Sequence, residues 1–198
     1  MPTQIDEHGT TGGSMPTTFH AFLGCSLDGF IAGPEGDLSW LFDFDERLGD
    51  TGYNDFFASV DALAMGRTTY ETMLNSDPEF YKGTPIHVLS TTLTPGLHPD
   101  MGKSTVTVHP GIPALHHALT AQGVTRAYVD GGQTVQAFLA AGLLSDLIIT
   151  RVPVLIGAGI PLFGPVSSPI YPELAHTRQL NAGAVQSAYR FPSSPTRR

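Results

Sequence analysis

Between residues 19 and 191 the chain keeps repeating one unit: a short apolar run, a glycine or hydroxyl residue, then a helix-forming stretch. This alternation limits the possible folds more than any other feature. Phe19–Ser26, FHAFLGCS, reads as an apolar strand that gives way to a loop over Asp28–Gly36. Tyr53–Ser59 predicts a short helix, Ala62–Met65 a buried strand and Thr68–Leu74 a helix. Ile86–Ser90 and Val106–His109 read as strands, and Ile112–Ala121 as a helix stopped by Gly123. Arg126–Val129 is a strand that enters Gly131-Gly132 and a helix over Thr134–Ala141. Asp146–Val152, rich in Ile and Val, reads as a buried strand. Glu173–Leu180 and Ala184–Phe191 flank the hairpin turn Asn181-Ala182-Gly183. Strand–helix alternation closed by a hairpin implies an α/β fold: a mostly parallel central sheet, an antiparallel edge hairpin and flanking helices.

Composition narrows the function. A length of 198 residues suggests one domain over 18–191. Residues 1–17 carry turn formers without periodicity and are expected to form a flexible tail, with Met15 a candidate start; residues 192–198, PSSPTRR, are expected to fray. A net charge of −8, from 10 Lys+Arg against 18 Asp+Glu, argues against a general binder of nucleic acid or anionic membrane. It leaves room for one anionic small molecule held by a few arginines. No run approaches the roughly 18–20 apolar residues of a membrane span, and no apolar signal core opens the chain, so the expected location is the cytoplasm. Cys25 is the single cysteine, which excludes an internal disulfide framework and any cysteine-cluster zinc site.

Several familiar patterns fail on spacing. In Gly24-Cys25-Ser26-Leu27-Asp28-Gly29 the second glycine comes one residue too late for a nucleophile elbow. Gly157-Ala158-Gly159 begins like a dinucleotide fingerprint, but Pro161 and Phe163 follow where a helix would have to open. His116 and His117 are adjacent and diverge by about 100° on a helix, so they share no ligand face. No metal site is expected.

Four other segments are weak singly and informative together. Leu27-Asp28-Gly29-Phe30-Ile31-Ala32-Gly33, followed by Trp40, is a strand running into a glycine-bearing loop, which lets backbone approach a flat ligand or forms an ordinary turn. Gly66-Arg67-Thr68-Thr69-Tyr70-Glu71 stands where a strand meets a helix. Its N–H groups and the Arg67 fork suit a phosphate, while Thr68 or Thr69 suits a plain helix cap. Val88-Leu89-Ser90-Thr91-Thr92 places hydroxyls at a strand end, where they suit a sugar, a phosphate or a turn. Tyr128-Val129-Asp130-Gly131-Gly132-Gln133-Thr134 puts two glycines before a helix, suited to an anion or to a tight turn. In open α/β sheets, ligands bind at such strand C-terminal ends. Two helix N-termini without a Rossmann or P-loop signature suggest an extended nucleotide in a different cradle.

In the order LDGFIAG…W, MGRTTYETM, HVLSTT, VDGGQTVQAFL and LIITRVPVLIGAGIPLFG, the chain resembles the dihydrofolate reductase-like superfamily. Within it, the chain is most similar to stand-alone relatives of the riboflavin-biosynthesis reductase domain, the RibD C-terminal domain. The resemblance spans about 19–191 and implies an α/β sandwich, NADPH as hydride donor and a possible homodimer. Carried over by position, Gly24, Ile31 and Ala32 would lie beside the nicotinamide. Gly66, Arg67 and Thr69 would meet the phosphates. Leu89, Ser90 and Thr91 would border the adenosine ribose, and Gly131, Gly132, Gln133 and Thr134 would wrap the pyrophosphate. Asp130 stands where dihydrofolate reductases carry a third glycine, as acidic residues often do in the riboflavin branch.

The implied chemistry is hydride reduction of a C=N bond in a small N-heterocycle, of the 5-amino-6-(5-phosphoribosylamino)uracil reductase type. Dihydrofolate reductase itself and a non-enzymatic NADPH-binding protein are the alternatives. Asp28, Asp43 or Asp45 is expected to orient the substrate or relay the proton. Asp45 matches the spacing of the folate-binding carboxylate after Trp40, in a local sequence unlike the folate pattern, and either loop aspartate could be a solvated charge.

Overall fold

The computed structural model describes residues 16–192, with the side chain of Asp45 outside the described set. The expected tail through Met15 and the final six residues of the expected fray also lie outside it. Thr17, the last residue of the expected tail, is buried and donates its hydroxyl to the Val124 carbonyl at 2.8 Å.

In chain order the elements are β1 (Thr18–Cys25), β2 (Phe30–Ala32), α1 (Ser39–Leu48), α2 (Tyr53–Ala58), β3 (Ala62–Gly66) and α3 (Arg67–Ser76). Then come β4 (Ile86–Leu89), β5 (Gly96–Met101), β6 (Ser104–His109), α4 (Ile112–Ala121), β7 (Arg126–Asp130) and α5 (Gly132–Ala140). The chain closes with β8 (Leu144–Arg151), β9 (Ile160–Pro161), β10 (Glu173–Gln179) and β11 (Val185–Arg190). Nine strands form one sheet in the order β10-β11-β8-β1-β7-β3-β4-β6-β5. The six from β8 to β6 run parallel, and the expected hairpin β10–β11 closes one edge antiparallel. No helix among the described residues is long and apolar enough to cross a membrane.

Alternation along the parallel strands sorts the core onto two faces. Ala62, Ala64, Ala127 and Val129 point to one side and pack with Leu115 and Leu119 of α4 and Val135 and Phe138 of α5. Leu63, Met65 and Tyr128 point to the other, with Tyr70 of α3 and the α2 rings Tyr53, Phe56 and Phe57. The central strands are apolar on both faces because helices cover both. Burial of each large side chain contributes roughly 1.5–3 kcal/mol.

Three elements depart from the expectation. Asp43 and Asp45, read as loop residues, lie on α1. Trp40, Phe44 and Leu48, at i, i+4 and i+8, turn toward Val152 and Ala184, and this packing makes the segment helical. Asp43 is exposed. The sheet has a second antiparallel edge: β5 pairs with β6 despite Pro99, which an edge strand tolerates. A separate ribbon joins β2 and β9, pairing Phe30 with Pro161 and Ala32 with Ile160.

On the neighbouring strands β4 and β6, His87 Nδ1 and His109 Nε2 stand 2.9 Å apart as a buried pair. Burial, reinforced by the neighbouring imidazole, pushes His87 down to about 4 from its ordinary 6.5. The unfolded chain therefore binds more protons between these values. The stability His87 contributes is complete above pH 6.5 and is lost as pH falls toward 4. Between pH 7 and pH 5 the loss is expected to be about 2 kcal/mol. Urea unfolding at the two pH values checks this, with His87→Gln flattening the difference.

Candidate active site

The strand order places β7 between β1 and β3, so the adjacent strands β3 and β7 send their helices in opposite directions: α3 toward β4, and α5 across β1 toward β8. Where connections diverge in this way, the strand C-terminal ends leave a crevice. It is a cavity of about 510 Å³. Helix α3 starts behind Gly66, α5 behind Gly131 and α4 behind Gly111, and all three starts border the cavity. None of the three has a side-chain cap. The first N–H groups of a helix lack intrahelical partners and carry the positive end of the macrodipole. Among the described residues, Arg67 is the charged residue of the lining and no acidic residue shares it. The cavity is thus chemically suited to an anion with several oxygens.

Glycine is required where the turns touch. Gly131 has φ 87°, and a Cβ there would run into Thr69 Oγ1. A Cβ on Gly66 would stand 2.9 Å from Thr134 Oγ1. The arginine-bearing turn and the paired-glycine turn therefore lie directly against each other. Gly132 receives the Cδ1 end of Ile31 from the ribbon strand β2.

Most residues expected at a cofactor site meet here. Gly66, Arg67, Thr69 and Ile31 line the cavity, as do Leu89, Ser90 and Thr91 from the end of β4 and Gly131, Gly132, Gln133 and Thr134 from the α5 turn. Ser90 Oγ accepts from the Thr92 and Leu93 N–H groups at 3.1 and 3.0 Å, so the turn role suggested for its hydroxyl is real and coexists with its place on the wall. The capping role suggested for Thr68 and Thr69 is not taken up, since both lie inside α3 as its second and third residues, behind Gly66 at the cap position. Arg67 is half-exposed and holds Glu71 by two contacts of 3.0 and 2.9 Å, one helical turn away. Gly24 lies outside the lining. It makes room for α1, where a Cβ would stand 2.9 Å from Leu41 Cδ1. Ala32 is buried in the ribbon, behind the wall. The sequence reading missed Pro110, Gly111 and Ile112, the third helix start. Its available signal was glycine two residues before Pro113 at the head of a predicted helix.

The aspartates separate. Asp28 is exposed and lines no part of this cavity; Ser26 Oγ donates to it at 2.6 Å and the Gly157 N–H at 2.8 Å. The Ser26 hydroxyl, joined by the Gly157 and Ile156 N–H groups, holds its carboxyl below the usual range. Asp43 is on the exposed side of α1, and the Asp45 side chain is outside the described set. A different acid stands behind the glycine pair. Asp130 receives the Tyr81 hydroxyl at 2.6 Å, the Tyr128 hydroxyl at 3.2 Å and the Gly131 N–H at 2.8 Å. Burial pushes its carboxyl up, opposed by these hydrogen bonds. Asp130 thereby fixes the orientation of the Gly131 peptide.

The RibD C-terminal domain family matches residues 18–186. The uncharacterized protein YwjB of Bacillus subtilis (strain 168) is 33% identical over 170 residues, covering 85% of this chain and 94% of YwjB. A Shewanella sp. PV-4 protein named for riboflavin biosynthesis has a crystal structure with a TM-score of 0.78 and 32% identity, covering 89% of this chain and 99% of its own. The Thermotoga maritima diaminohydroxyphosphoribosylaminopyrimidine deaminase/5-amino-6-(5-phosphoribosylamino)uracil reductase shares the fold at a TM-score of 0.67 and 13% identity. That match covers 89% of this chain and 57% of the other.

Gly131→Ala is expected to destabilise by about 1–3 kcal/mol, because the backbone there is in a region that L-residues avoid. Gly111→Ala serves as the contrast: its φ of 176° suits any residue, and the nearest atom to an added Cβ is 3.8 Å away. It is expected to cost under about 1 kcal/mol. Urea unfolding midpoints of the two variants check the difference.

Proposed function

The chain belongs to the RibD C-terminal domain family, and on that premise we propose that it is an NADPH-dependent reductase of a small N-heterocyclic substrate, of the 5-amino-6-(5-phosphoribosylamino)uracil reductase type. One observation carries the cofactor reading: three uncapped helix starts open onto one cavity whose lining, among the described residues, holds an arginine and no acid. A dinucleotide diphosphate presents the oxygens that such donors need. When bound, NADPH supplies the hydride.

The residues present fit that group. The Thr68–Thr69 and Gly132–Gln133 backbones would hold the diphosphate from α3 and α5, and the glycines keep those backbones open to close approach. Gly111 and Ile112, with Ser90 and Thr91, would face the adenosine end. Ile31 and Ile160 supply an apolar wall that restricts water at the reacting end. Arg67 is proposed to meet the 2′-phosphate, exchanging part of its pairing with Glu71 for a second anion. Asp28 and Asp43 lie outside this lining, so the proton is assigned to neither of them.

Fluorescence titration of the purified protein with NADPH and NADH tests the reading. NADPH is expected to bind at least about tenfold tighter than NADH, and Arg67→Ala to lose about tenfold toward NADPH with little change toward NADH, as charge-assisted bonds of roughly 1.5 kcal/mol imply. Equal affinities for the two dinucleotides would contradict it.

A further inference from the structure

We propose that Asp28 is a positioning residue: its carboxylate clasps the β2–β9 ribbon and so holds Ile31 and Ile160 in place as one wall of the cavity, without relaying a proton. The ribbon has only two paired positions of its own, Phe30 with Pro161 and Ala32 with Ile160. Such a short ribbon needs other anchors to stay in register. Backbone bonds supply some: Leu27 N to Val154 O at 2.8 Å, and Leu162 N to Gly29 O at 2.9 Å. Gln136 Nε2 donates to the Pro161 carbonyl at 2.8 Å from the α5 side.

Between these anchors the segment after β8 turns at Gly157, whose φ is 76°. At this turn the successive N–H groups of Ile156 and Gly157 both point at Asp28, at 3.4 and 2.8 Å. The same carboxylate accepts from Ser26 Oγ at 2.6 Å, and that hydroxyl oxygen accepts from the Phe30 N–H at 2.9 Å. One chain of hydrogen bonds thus runs from the first residue of β2, through buried Ser26 and Asp28, to the turn that leads into β9. Both strands of the ribbon are set by it. Ile31 directly follows Phe30, Ile160 stands three residues beyond Gly157, and these two are the ribbon residues on the cavity wall. A carboxylate committed to three donors, and outside the lining, is placed to orient backbone rather than to exchange protons with a bound heterocycle.

The inference rests on the cofactor reading only for its effect on NADPH, so the test reads the wall separately. Hydrogen exchange at the Ile156 and Gly157 amides and the methyl resonances of Ile31 and Ile160 are measured without cofactor, then NADPH affinity is measured across pH 5–9. Asp28→Ala is expected to speed exchange at both amides at least tenfold, to shift both methyl signals and to weaken NADPH about tenfold. Asp28→Asn, which keeps an acceptor for the Gly157 N–H and turns its NH2 toward Ser26 Oγ, is expected to restore exchange at Gly157 and affinity to within about threefold of wild type, with an unaltered pH profile. Unchanged exchange and methyl signals in Asp28→Ala would overturn the proposal. So would an Asp28→Asn variant as impaired as Asp28→Ala. A wild-type protein that ignores NADPH while its amides and methyls respond as described would overturn the cofactor reading and leave the clasp standing.

Discussion

The molecule depends on two helix starts locked together through paired glycine and threonine positions. Thr69 of the α3 turn fills the space over Gly131, and Thr134 of the α5 turn fills the space over Gly66. A hydroxyl from each helix occupies the place a Cβ would take in the other turn. The contact exists only because β3 and β7 are neighbours in the sheet while their helices depart to opposite faces. It brings two sets of unpaired N–H groups within reach of one ligand, and α4 adds a third from the end of β6.

Around that contact the fold divides its tasks. The parallel strands are apolar on both faces and supply rigidity. Asp130 and its tyrosine partners orient the glycine peptide from behind, where burial raises the carboxyl and hydrogen bonds hold it. The ribbon of β2 and β9 supplies the apolar wall from the front. The charge needed for an anion is concentrated in backbone dipoles and Arg67, which reconciles an anion site with a chain of net charge −8.

Much of this could be read in the chain because its signals are local. A glycine pair between a strand and a helix, or an arginine just inside a helix, declares itself within a few residues, and Gly66, Arg67, Gly131 and Gly132 all reach the cavity. What escaped depends on distant partners. The helix α1 shows its stripe only when Trp40, Phe44 and Leu48 are matched to Val152 and Ala184. Gly111 becomes part of the site because β6 lies beside β4, a pairing no local pattern states. Asp28 reads as a free loop acid until Gly157, 129 residues away, is brought against it. Gly24 looked like a ligand glycine, but its missing side chain accommodates Leu41.

The claim that these helix starts jointly bind a dinucleotide diphosphate is tested most directly by amide chemical-shift mapping of the isotopically labelled protein with saturating NADPH. The account predicts that the largest shifts fall on Thr68, Thr69, Gly132, Gln133 and Ile112, three separate stretches of chain moving together. Saturable binding that leaves those amides unmoved and perturbs another face of the sheet would contradict it.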